Sequence, residues 1–114
     1  MAMQRFEHKS DQNGVSASIE GGDIILLGKQ YLKATLAFAL KLEDKVFGVT
    51  AGHLAFDKNG VQIVNIGDDV SIQTEEKVAK IGTVVSLDVT THRDEDRRLQ
   101  TTDSLVFCFN DDVS

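Results

Sequence analysis

The sequence predicts an all-β domain. Short apolar runs alternate with Gly-, Asn- and Asp-rich turns along most of the chain. Several runs repeat their apolar residues at every second position, the period of a strand and not of a helix. About six to eight such strands follow one another, the pattern of a barrel or sandwich. At 114 residues, 41% of them hydrophobic and 26% charged, the chain fits one folded domain.

Residues 1–14 are charged, lack a period and end at Asn13-Gly14, so they predict a flexible lead-in to a domain spanning 15–114. Residues 15–19 alternate apolar and small polar side chains. Gly21-Gly22-Asp23 is a turn, and Ile24 to Leu27 is an apolar run closed by Gly28. In 35–42 a strand sets Leu36, Phe38, Leu40 and Leu42 on one face, with Ala37, Ala39 and Lys41 opposite. Ala and Leu also favour helices. The charged turn Glu43-Asp44-Lys45 and the β-type run Val46-Phe47-Gly48-Val49-Thr50 decide for a hairpin over 35–50.

Residues 51–56 are small and apolar around His53. Asp57-Lys58-Asn59-Gly60 is a strong turn, because Asn and Gly tolerate positive φ. Residues 61–66 and 70–73 predict short strands separated by Gly67-Asp68-Asp69. Residues 77–87 predict a longer strand, with Gly82 marking a bulge or bend. Residues 88–102 hold Asp88, Asp94, Glu95 and Asp96 against Arg93, Arg97 and Arg98, and predict an irregular surface loop. Residues 105–109 form a last apolar strand before Asn110-Asp111-Asp112.

Charge and cysteine content narrow the function. Lys and Arg number 12 and Asp and Glu 18, a net charge of −6 that disfavours nucleic acid and anionic membrane as partners. No apolar run approaches the ~20 residues that span a bilayer. Cys108 is the single cysteine, so no internal disulfide forms and a reducing, cytoplasmic compartment is predicted. It sits between Phe107 and Phe109 as a packing residue. His8 and His92 lie in polar stretches and read as solvated. Asp94-Glu95-Asp96 lacks the spacing of a Ca²⁺ loop and is interleaved with arginines, and no glycine-rich loop leads into a helix. No metal or cofactor is predicted.

The informative motif is Gly48-Val49-Thr50-Ala51-Gly52-His53, where a strand runs into small residues and then a histidine. An imidazole exchanges its proton near neutral pH, and small neighbours let the chain turn the ring into a cleft. Thr50-Ala51-Gly52-His53 resembles the histidine motif of trypsin-like (chymotrypsin-fold) serine proteases, where a strand ends in Thr-Ala-Ala/Gly-His. Ala34-Thr35-Leu36-Ala37-Phe38 lies where microbial and fungal members carry a Gly-Thr-Leu-Gly type strand. Ile66-Gly67-Asp68-Asp69-Val70 and Lys80-Ile81-Gly82-Thr83-Val84-Val85 look like the turn and strand before that family's aspartate. Thr102-Asp103-Ser104-Leu105-Val106-Phe107 is similar to its Asp-x-Ala-Leu-x strand start. The resemblance covers roughly 15–110, about the first of two barrels.

The resemblance implies a single six-stranded antiparallel barrel of chymotrypsin type, with a short helical turn after the histidine strand. It implies that His53 is the general base and then the general acid, and that Asp103 accepts the other ring N–H. The family's serine lies in a Gly-Asp-Ser-Gly-like loop of the second barrel, and no such motif occurs in this sequence. Ser104 adjoins Asp103 on a predicted strand, so their side chains point to opposite faces. Where many secreted members carry a cysteine after the histidine, this chain has Leu54. The expected function is therefore the N-terminal half of a trypsin-like protease domain, inactive alone. Its partners would be protein or peptide: a second copy, or a C-terminal barrel covering an apolar side next to His53. The competing expectation is a non-catalytic β-barrel interaction module or a degenerate protease-like scaffold. Hydrogen-bond reach between His53 and Asp103 discriminates the two.

Overall fold

Alternating and β-branched runs become strands over much of the described chain. A computed structural model describes residues 5–9, 16–75, 77–93 and 99–111. Its strands are β1 (Arg5–Lys9), β2 (Ser16–Glu20), β3 (Ile24–Leu27), β4 (Leu32–Thr35), β5 (Phe38–Leu42), β6 (Lys45–Thr50), β7 (Asp69–Gln73), β8 (Val78–Arg93) and β9 (Leu99–Phe109). A 3₁₀ turn, Gly52–Ala55, follows β6. Strands β1 and β2 pair with each other, and the other seven form one antiparallel sheet in the order β4-β3-β7-β8-β9-β6-β5, curled into a half-barrel. No helix among the described residues is long and apolar enough to cross a membrane.

The closed six-stranded barrel expected from the sequence is replaced by this seven-stranded curled sheet. The additional strand arises at Leu36-Ala37, where the strand predicted over 35–42 is broken. Leu36 N–H donates to Asp23 O at 2.8 Å, and Ala37 N–H donates to Val49 O at 2.8 Å. Between two consecutive residues the chain leaves the side of β3 and joins β6. Strands β4 and β5 therefore stand at the two edges of the sheet although they are adjacent in sequence.

The break also resets the alternation. Leu36 and Ala39 are buried, while Phe38 and Leu42 are exposed. The inward positions are three apart, which an unbroken strand cannot produce. Ala39 sits opposite Gly48. A Cβ at Gly48 would overlap the Phe107 ring, so this small pair makes the room that the fully buried Phe107 fills. Phe107 in turn packs against Phe109, with ring centroids 4.9 Å apart at 58°. Ile25, Leu27, Val70, Ile81, Val84 and Leu105 complete the centre of the core.

Three further expectations change. Residues 5–9, read as lead-in, form β1 and pair with β2. Residues 61–66 form no strand, only the isolated bridge Phe56↔Gln62. Asp57 Oδ1 accepts the amides of both Asn59 and Val61, and Ala55 O accepts those of Ile63 and Val64, so local bonds use the donors a ladder needs. Residues 88–93 and 99–102, read as loop, extend β8 and β9. The Thr90 and Thr102 hydroxyls meet across this ribbon at 2.6 Å. The charge cluster that suggested a loop lies largely at 94–98, outside the described residues. Gly82 does lie beside a bulge: the register steps from Val70↔Gly82 to Ser71↔Lys80, skipping Ile81. A Cβ there would collide with Cys108 O.

Candidate functional site

The site starts at the end of β6. Thr50 is buried, and its hydroxyl donates to Thr35 O at 2.7 Å, tying the end of β6 to the end of β4. Ala51 is extended, with φ −70° and ψ 130°, and Gly52 then opens the 3₁₀ turn. A Cβ on Gly52 would sit 2.7 Å from Val89 Cγ2 and 2.9 Å from both N and O of Ser104. Glycine therefore lets the turn lie directly on the β8–β9 ribbon. Ala55, fully buried, fixes its other end.

This seating brings His53 to Asp103. The His53 backbone N–H donates to Asp103 Oδ1 at 2.7 Å, and His53 Nδ1 lies 2.7 Å from Asp103 Oδ2. An ionised carboxylate only accepts, so Nδ1 carries the proton of the bond. In the neutral ring the free lone pair is then on Nε2. The hydrogen bond from the His53 ring holds the Asp103 carboxyl below the usual carboxylate range. Slight burial opposes this, and the His53 backbone N–H adds to it. The His53 side chain is 64% exposed and that of Asp103 36%. Water reaches the pair, so its importance is orientation more than stability.

The arrangement suits one chemical task. Nε2 can take a proton from a hydroxyl or water brought to it, while Asp103 stabilises the imidazolium that results. His53 and Asp103 are the predicted residues that come together. Ser104 does not join them: it pairs with Asp88 across the ribbon. Cys108 is half-buried, its thiol directed to Phe109 O at 3.5 Å. Asp88 accepts from Thr90 and Thr102 at 3.1 Å each. The side chains of His8, Arg93 and His92, and residues 94–98, lie outside what the structure describes. No group of three or more metal-ligating side chains occurs among the described residues.

Two features escaped sequence reasoning. The second contact of Asp103, to the His53 amide, needs the turn to sit within bonding distance of β9, and no spacing rule encodes that. Ser71, a hydroxyl inside the apolar run Val70-Ser71-Ile72, was legible as an oddity of pattern. Comparison with protein-family models, with curated proteins and with solved structures gave no match.

Proposed function

We propose that this chain is the histidine–aspartate half of a trypsin-like serine protease domain. The observation that carries the reading is the double contact of Asp103 with the amide and ring of His53, at the end of a strand reading Thr50-Ala51-Gly52-His53. His53 acts as general base and then general acid, and Asp103 sets its tautomer and steadies the charged ring. In this reading β4 and β5 are the two halves of one bent strand, and the curled sheet is the first barrel of the fold. Ser104 cannot act as nucleophile, since strand alternation turns it away from Asp103.

The nucleophile and the oxyanion hole come from a second barrel. Phe38 and Leu42 on edge strand β5, and Val89 next to Gly52, are exposed apolar residues that support burial against a partner, either that barrel or a second copy. The test is direct. The purified chain, treated with a fluorophosphonate probe and a broad peptide library, is expected to show neither labelling nor cleavage. Stoichiometric labelling of a serine would overturn the reading.

A further inference from the structure

We propose that the outer face of β3, β7 and β8 carries a binding site for a phosphate group, separate from the His53–Asp103 pair and independent of the protease reading. The cross-strand register places Lys33, Leu26, Ser71 and Lys80 in one row across β4, β3, β7 and β8. Their neighbours Leu27 and Val70 point into the core, so this row lies on the opposite face of the sheet. At the Ser71–Lys80 end of the row lies a cavity of about 290 Å³, lined by Gly28, Lys29, Tyr31, Asp69, Ser71 and Lys80 among others.

Two observations mark this cavity as a built site. Ser71 is 4% exposed, yet its hydroxyl makes no hydrogen bond to any described residue. Thr50, the other buried polar side chain among the described residues, is satisfied by Thr35 O. A buried hydroxyl without a partner is unfavourable and calls for an occupant. Tyr31, on the rim, closes the β3–β4 turn with φ 52°, its N–H donating to Gly28 O at 3.3 Å. Lys29 and Lys80 also border the cavity, within a chain of net charge −6.

The donor set selects the ligand. Two ammonium groups and two hydroxyls supply more donors than a planar carboxylate has oxygens, and they suit a tetrahedral oxyanion. Lys80 Nζ lies 3.0 Å from Asp69 Oδ1, so a single carboxylate holds the lysine and a doubly charged phosphate competes for it.

The test uses the full chain and inorganic phosphate at constant ionic strength, followed by amide chemical shifts. Saturable shifts are expected at Gly28, Tyr31, Ser71 and Lys80, and none at Gly52–Ala55. Lys80→Ala and Lys29→Ala are each expected to weaken binding by about tenfold. Ser71→Ala is expected to weaken binding as well, without lowering the unfolding temperature in phosphate-free buffer. O-phosphoserine in a parallel titration separates sources: tighter binding than phosphate means a phosphate ester, and equal or weaker binding means the free anion. The proposal fails if the shifts do not saturate, if acetate reproduces them, or if the lysine and serine variants bind as the parent does.

Discussion

Thr50 and Ser71 are buried hydroxyls at two places in one sheet, and the fold treats them oppositely. Around Thr50 the polar groups are engaged: its hydroxyl on Thr35 O, and both Asp103 oxygens on His53. What remains for chemistry is a single atom, Nε2 of His53. Around Ser71 the hydroxyl is idle, and Asp69 meets Lys80 through one contact. The first region is organised by its own side chains. The second leaves a buried hydroxyl without a partner among the described residues.

The largest way to break this comparison is at Gly52. Gly52→Ala drives a methyl into Val89 and the Ser104 backbone, so the turn must lift from the ribbon. A loss of about 1–3 kcal/mol is expected in denaturant unfolding, with amide shifts at 52–55 and 103–104 and none at Ser71. Thr50→Val leaves the Thr35 carbonyl without its donor and is expected to cost about 1–2 kcal/mol. Ser71→Ala removes an unsatisfied hydroxyl and is expected to change stability by less than about 0.5 kcal/mol, or to raise it. Equal losses in the Thr50 and Ser71 variants would erase the contrast.

The smallest effect is one of pH. Asp103 has a folded-state pKa below its unfolded value of 3.8. Its contribution to stability is thus present above that value and is lost as pH falls through the folded pKa. Asp103→Asn is expected to flatten the acid limb of a stability–pH curve slightly, because the pair is exposed. An unchanged acid limb would mean that the carboxylate is not held by His53.

The legibility of the fold follows how local each cause is. The end of β6, the turn after it and the start of the last apolar strand were readable, because small residues, a histidine and an aspartate next to apolar alternation are all local signals. The break at Leu36-Ala37 was not readable. It is set by hydrogen bonds to Asp23 O, just before β3, and to Val49 O on β6. The ribbon over 88–93 and 99–102 was hidden by its charges, which dominate composition, while Thr90, Thr101 and Thr102 quietly favour strands. Strand β1 was hidden in the same way, since Arg5, Glu7 and Lys9 mask a pairing that β2 completes. Ser71 broke the apolar pattern of its run, but only the burial of its side chain gave that break a meaning.

The central claim is that Asp103 fixes His53 as an oriented base. Long-range ¹H–¹⁵N spectra of the His53 ring, recorded with the ring neutral, test it most directly. A proton on Nδ1 and a bare Nε2, reverting toward the ordinary Nε2–H form in Asp103→Asn, is the result the geometry predicts. A ring that carries its proton on Nε2 in the parent chain would contradict it.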